Sequence, residues 1–106
     1  MTRRDRSPPN DLAEALAGEF IGATVRIESH PGLVGLPLEG TIVDESMETF
    51  LVRLPGRTRD RRISKAGTVG TILLEERPLP LRGNALRVRP EDRPKRLLGR
   101  GRWSYP

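Results

Sequence analysis

The chain of 106 residues has no cysteine, one histidine and only four aromatic residues. The lack of cysteine excludes disulfides and thiolate metal sites, and one histidine cannot build a zinc site alone. No apolar run approaches the roughly 18 residues of a membrane span, and the first residues lack the apolar stretch of a signal peptide. We therefore expect a cytoplasmic protein with no membrane association.

The length is that of one small domain. Apolar residues make up 35% of the chain, and because aromatics are scarce, the core must consist mainly of valine, isoleucine and leucine. These residue types favour strands over a large helical bundle. A domain of this size has little room for a deep catalytic cleft beside its core.

Acidic and basic residues are unevenly divided along the chain. Residues 11–52 carry eight acids and one base, a net charge of −7, whereas residues 53–106 carry fifteen bases and five acids, a net charge of +10. Seventeen of the nineteen basic residues are arginine, whose planar fork suits bidentate contact with phosphate. The basic half indicates a nucleic-acid partner, and the alternative is an ordinary solvated basic surface.

The pattern of apolar residues predicts mostly short strands. Two-residue alternation predicts strands at 24–29, 38–45, 50–54, 62–64, 68–74 and 84–88. Pro78 and Pro80 are assigned to a connection, because proline cannot donate to a strand ladder. A short helix is predicted from residue 11, and a second over 89–98 opens at Pro90.

The fold class expected from this order is mainly β: a small, strongly bent sheet closed into a barrel, with a short helix at each end. Residues 1–10 are predicted to be a disordered basic arm, residues 11–98 a single domain, and residues 99–106 a flexible basic tail with Trp103 and Tyr105. These two aromatics either stack on bases or pack against the barrel.

Four segments, in order and spacing, resemble the archaeal ribonuclease P protein component 1 family. Glu19-Phe20-Ile21-Gly22 leads into the first strand, and residues 38–46 resemble the family's G-x-V-V-D-E-T strand and turn. Residues 63–67 resemble its I-P-K-A-G segment, and residues 81–86 lead into Arg89-Pro90-Glu91-Asp92. The likeness covers about residues 19–97.

The resemblance implies a six-stranded Sm-like barrel that binds RNA as a subunit of ribonuclease P, the enzyme that removes 5′ leaders from precursor tRNA. In that enzyme the RNA subunit performs the chemistry with Mg²⁺, so this chain is expected to hold no catalytic residue, metal or cofactor of its own. The implied partners are ribonuclease P RNA, precursor tRNA indirectly, the zinc-ribbon protein component 4 and the other protein subunits.

The chain departs from the family pattern at three positions. Gly70 replaces a usual phenylalanine, Pro94 a usual aliphatic residue, and Ser64 the proline of the I-P-K segment. Gly70 is expected to leave a gap in the barrel unless a neighbour fills it, and Pro94 is expected to loosen the terminal helix. None of the three removes a basic group.

Nine basic residues are predicted to contact RNA. By resemblance these are Lys65, Arg89, Arg93, Lys95 and Arg96; by charge alone they are Arg57, Arg59, Arg61 and Arg62. Arg82 and Arg87 are weaker candidates. For any one arginine the alternative is a solvated charge or an ion pair with Glu91 or Asp92.

The first helix is too acidic to be an RNA surface. Its apolar face, made by Leu12, Leu16 and Phe20, is predicted to meet another protein, which by resemblance is the zinc-ribbon subunit.

Asp44, Glu45 and Glu48 are close in sequence, as the carboxylates of an Mg²⁺-dependent nuclease would be. An acidic turn that orders a hairpin through side-chain bonds to backbone N–H groups is the preferred interpretation, because no further acid or base completes a catalytic set. His30 precedes Pro31, has no serine or cysteine nucleophile to activate, and is interpreted as a loop residue.

A second binding function remains open: an Sm-, SH3- or OB-like RNA-binding module of the ribosome or of RNA turnover. Charge and fold do not separate it from a ribonuclease P subunit, since many such domains share both. A free-standing metal-dependent nuclease is the third and least favoured hypothesis.

Overall fold

The computed structural model describes residues 15–94. Six strands form the sheet: β1 Thr24–Ser29, β2 Leu38–Glu45, β3 Thr49–Arg53, β4 Asp60–Ser64, β5 Val69–Leu74 and β6 Arg77–Arg82. Two short 3₁₀ helices follow at Gly83–Leu86 and Pro90–Asp92, and residues 15–17 are helical before β1. The mainly β fold expected from the sequence is confirmed.

The strands form one antiparallel sheet in the order β4-β3-β2-β1-β5-β6. Within residues 15–94 no strand ladder joins β4 to β6, so the sheet is not closed into a barrel by hydrogen bonds. The chain segments that leave these two edges meet instead. Gly83, directly after β6, lies so close to Lys65, directly after β4, that a Cβ on Gly83 would be 1.8 Å from the Lys65 carbonyl oxygen. The Gly83 N–H donates to the Thr68 carbonyl over 2.8 Å, which continues the β5–β6 pairing.

Alternating residues of every strand point to one side of the sheet and form the core. Val25 and Ile27 of β1 are buried while Arg26 between them is exposed, as the two-residue period requires. The fully buried apolar side chains of the other strands include Ile42, Val52, Ile72 and Leu81. No helix within residues 15–94 is long and apolar enough to cross a membrane.

The last strand lies earlier in the chain than the sequence predicts. Pro78 and Pro80 belong to β6, opposite Leu73 and Thr71 of β5, so their assignment to a connection was wrong. β6 is an edge strand, and a proline fits there because its nitrogen can face away from the neighbouring strand. The strand predicted at 84–88 is also wrong, since the chain turns into a 3₁₀ helix at Gly83–Leu86.

Gly70 leaves no gap in the sheet. It pairs with Ile27 of β1, and a Cβ built on it would lie 2.0 Å from the Arg26 carbonyl oxygen. The two backbones approach so closely that a side chain has no room, and the expected cavity is therefore absent. Pro94 follows the second 3₁₀ helix in a helical conformation, and the rest of the predicted helix lies outside the described residues.

The Gly70→Ala substitution tests this close approach. We expect it to lower the free energy of unfolding by about 1–3 kcal/mol or more, because β1 must move away from β5 to admit the methyl group. Gly18→Ala is the control, since its Cβ would make only an ordinary contact of 3.6 Å. Chemical denaturation measures both, and equal stability of the two variants would contradict the predicted close approach.

Candidate nucleic-acid interface

A buried carboxylate lies where β2 ends. The side chain of Glu45 is only 1% exposed, and its two oxygens accept hydrogen bonds from two cations. Lys65 donates its Nζ to Oε2 over 2.7 Å. Arg93 donates Nη1 to Oε2 and Nη2 to Oε1. We call these three residues the Glu45 network.

Lys65 enters the network directly after β4. Its side chain is fully buried, and besides Glu45 its Nζ donates to the carbonyl oxygens of Leu86 at 2.8 Å and Val88 at 3.3 Å. All three ammonium protons therefore have acceptors. Burial lowers the pKa of Lys65, and the nearby Arg93 charge lowers it further, while the hydrogen bond to Glu45 opposes both effects.

Arg93 joins the network to the beginning of the described chain. Its Nε donates to the Leu16 carbonyl over 2.9 Å, and its Nη2 donates to the Gly18 carbonyl over 3.0 Å. The guanidinium carbon stacks 3.7 Å from the centre of the Phe20 ring, a cation–π contact that suits the planar arginine head. The side chain is 1% exposed.

The burial of Lys65 and Arg93 bears on their predicted contact with RNA. Both cations face a carboxylate and backbone carbonyls of their own chain, so neither offers a charge to solvent in this structure. RNA contact by these two residues stays a prediction. What the structure assigns to them is the linkage of chain segments far apart in sequence.

Four exposed arginines surround the β3–β4 hairpin, and we call them the hairpin arginines: Arg57, Arg59, Arg61 and Arg62. Within residues 15–94 no carboxylate pairs with any of them, and only Arg62 has a side-chain partner, the Thr49 hydroxyl at 3.3 Å. Their charge is therefore not neutralised by the described part of the chain, which is the condition for phosphate binding.

Other exposed arginines are compensated. Arg26 binds Glu28 and Glu39 at 2.8 and 2.6 Å. Arg53 contacts Asp60 through two hydrogen bonds of 2.8 and 3.1 Å at the base of the hairpin loop, and this contact lowers the pKa of the Asp60 carboxyl. The sequence contains both kinds of arginine without distinguishing them.

Arg89 is the exposed member of the group predicted by resemblance. Its side chain is 63% exposed, and its ion pairs with Glu91 and Asp92 are long, at 4.0 and 3.7 Å. Arg89 therefore does pair with Glu91 and Asp92, as the alternative interpretation held, but only through weak surface contacts. Lys95 and Arg96 lie outside the described residues.

Two of the three apolar residues predicted to face a protein partner lie in the core of this chain instead. Leu16 and Phe20 are fully buried in the core of this chain, where Phe20 lies between Phe50 and Arg93. These two side chains are therefore unavailable to a partner in this structure, and among residues 15–23 the large apolar side chain that is exposed is Ile21. Leu12 lies outside the described residues.

The turn after β2 has the hydrogen bonds expected of an acidic turn. Asp44 accepts the Glu45 N–H over 2.9 Å, and the Ser46 hydroxyl accepts the Thr49 N–H over 3.2 Å. Glu48 pairs with Arg87 at 2.8 Å. Within the described part of the chain no three acidic or histidine side chains are grouped to hold a metal ion. Sequence reasoning placed Glu45 in this turn and missed its inward role, for which the nearest signal was an acid at the end of a buried strand.

His30 belongs to the loop after β1, as expected. Its Nδ1 accepts the Gly32 N–H over 2.9 Å, and its Nε2 lies 3.1 Å from the Ser64 carbonyl oxygen. Since Nδ1 accepts, Nε2 must carry the proton that binds Ser64. The ring therefore joins the β1–β2 loop to the end of β4.

A small antiparallel β domain with uncompensated arginines on one hairpin is a protein with a surface suited to nucleic acid. Comparison with known proteins gives the family. The family model described as Ribonuclease P/MRP, subunit p29 matches residues 13–96, and the chain belongs to this family. Ribonuclease P protein component 1 of Staphylothermus marinus is 29% identical over 80 residues, which is 76% of this chain and 87% of that protein.

Glu45→Gln tests the contribution of the buried carboxylate to stability. We expect it to lower the free energy of unfolding by about 3–5 kcal/mol, because it leaves two buried cations without their anion. Glu39→Gln, which removes an exposed ion pair with Arg26, should change stability by less than about 1 kcal/mol. Urea denaturation of both variants makes the comparison, and a similar small loss in both would refute a stabilising network.

The lowered pKa of Lys65 predicts that the free energy of unfolding depends on pH. The unfolded chain holds this proton more tightly than the folded one, so stability should rise with pH between the lowered pKa and the ordinary value of about 10.4. Lys65→Met removes this contribution. The difference in unfolding free energy between wild type and Lys65→Met, measured across that interval, should grow in favour of wild type; a constant difference would contradict the prediction.

Proposed function

We propose that the protein is an RNA-binding subunit of ribonuclease P that supports the catalytic RNA in the endonucleolytic removal of 5′ leaders from precursor tRNA. The observation that carries the proposal is the family match over residues 13–96, which spans the whole described domain. The name of the Staphylothermus marinus relative points to the same enzyme.

The chemistry in this proposal belongs to the RNA subunit and the Mg²⁺ that it uses. The arrangement of carboxylates supports this division. Glu45 is buried between two cations, Asp44 orders its turn and Glu48 pairs with Arg87. Of these three only Glu45 is sequestered, and within residues 15–94 no three acidic or histidine side chains are grouped to hold a metal ion. The proposal therefore gives this chain a role in binding.

The hairpin arginines and Arg89 are the proposed RNA contacts. They are exposed and carry charge that the described residues compensate weakly or not at all. Arginine favours phosphate because its fork donates two parallel hydrogen bonds. Lys95 and Arg96 remain predicted contacts from the sequence.

The proposal retains the cytoplasmic location and the protein partners predicted from the sequence, among them the zinc-ribbon subunit of ribonuclease P. Family membership supports association with other components of the enzyme. Because Leu16 and Phe20 are buried, such a partner would have to contact residues other than these two.

The RNA surface is tested by changing all four hairpin arginines to glutamine. We expect the affinity for the cognate ribonuclease P RNA to fall at least about tenfold, and the slope of log affinity against log salt to flatten by about 3 if four phosphate contacts are lost. Arg26→Gln is the control, because Arg26 is exposed but already paired with Glu28 and Glu39. Unchanged binding by the fourfold variant would refute this surface.

Reconstitution tests the biological role. Omitting the chain from the assembled ribonuclease P should slow precursor-tRNA cleavage at low Mg²⁺, and adding it back should restore the rate. Crosslinking in cells should recover ribonuclease P RNA. If rRNA or mRNA were recovered instead, the protein would be a module of the ribosome or of RNA turnover.

A further inference from the structure

The Glu45 network is hydrogen-bonded to the chain on both sides of Arg89. Lys65 binds the carbonyl oxygens of Leu86 and Val88, which precede Arg89. Arg93 follows Arg89 by four residues and binds the same carboxylate. One anion, Glu45, therefore holds the chain before and after Arg89.

Between these two attachments the chain presents a cation to solvent. Arg89 is 63% exposed, and its contacts with Glu91 and Asp92 are at the outer limit of ion pairing. Its carbonyl accepts the Asp92 N–H over 2.9 Å, which starts the second 3₁₀ helix. The exposed side chain thus projects from a backbone that is fixed on both sides.

We propose that Glu45, Lys65 and Arg93 are positioning residues that place Arg89 for contact with phosphate, and that Lys65 and Arg93 do not contact RNA themselves. The inference rests on the proposed function, because it concerns how the same RNA surface is assembled. It assigns a supporting role in RNA binding to an acidic residue, whose charge by itself would oppose binding to RNA.

The hydrogen bonds of the two buried cations support this division of roles. Lys65 has an acceptor for each of its three ammonium protons. Arg93 makes four hydrogen bonds to Glu45, Leu16 and Gly18 while its face covers Phe20. A phosphate would have to displace these acceptors from a site without exposed surface, whereas Arg89 needs no such displacement.

Electrostatics and positioning make opposite predictions for Glu45→Gln. Removing a negative charge from an RNA-binding protein should strengthen binding to a polyanion when nothing else changes. If Glu45 positions Arg89, the same substitution should weaken binding, because the segment around Arg89 is released. The sign of the change therefore separates the two effects.

The experiment measures binding of the full chain to its cognate ribonuclease P RNA over a range of salt concentrations, at a temperature where circular dichroism shows every variant folded. We expect Glu45→Gln and Arg89→Gln each to weaken binding by about fivefold to tenfold. Each should also flatten the slope of log affinity against log salt by the amount expected for the loss of one phosphate contact. The double variant should bind no more weakly than Glu45→Gln alone.

Two further variants keep the test decisive. Glu39→Gln removes an exposed acid that pairs with Arg26, and it should leave binding unchanged or slightly stronger. If Glu45→Gln does not fold, Glu45→Asp replaces it: the charge is kept, but the shorter side chain cannot reach both cations. Glu45→Asp should then weaken binding in the same way.

The proposal would be overturned if the folded Glu45 variant bound RNA as tightly as wild type, or if its effect and that of Arg89→Gln multiplied in the double variant. A failure of the proposed function is distinguishable, because then the wild-type chain itself would show no salt-dependent binding to ribonuclease P RNA. Normal wild-type binding with an unaffected Glu45 variant would refute the positioning role alone.

Discussion

The structure depends on one buried carboxylate that serves two cations. Removing three charged groups from water is costly, and the cost is met only when every donor has an acceptor. Here the Glu45 carboxylate accepts hydrogen bonds from both Lys65 and Arg93, and four backbone carbonyls accept the remaining hydrogen bonds of these two cations. The contacts tie the amino-terminal segment, the end of β2, the chain after β4 and the last described turn to one point.

This arrangement divides the basic half of the chain into two functional groups. One group lies inside and holds segments together, while the other lies on the hairpin and at Arg89, is exposed to solvent, and forms the proposed RNA surface. A large net charge destabilises a compact protein through self-repulsion. Pairing some arginines with local carboxylates, as at Arg53 and Asp60, reduces that repulsion without neutralising the hairpin arginines.

The strand pattern was predictable where side chains alternate between core and solvent. The alternation at Val25 and Ile27 located β1 correctly because one face of that strand is buried. It failed for β6, where two prolines argued against a strand, because the sequence does not show which strand lies at an edge. The role of Gly70 was also hidden, since a close approach between β1 and β5 depends on a neighbour 43 residues away along the chain.

The sequence by itself determined the class of fold, the concentration of arginine in the second half and the family resemblance, because periodicity, composition and motif order are properties of the linear chain. Only the tertiary structure decided which cations are exposed and which are buried. Lys65, Arg89 and Arg93 look alike as basic residues in matching motifs, yet two are buried against Glu45 and one is exposed. The difference arises because folding brings residues 45, 65 and 93 together, and no local pattern records that contact.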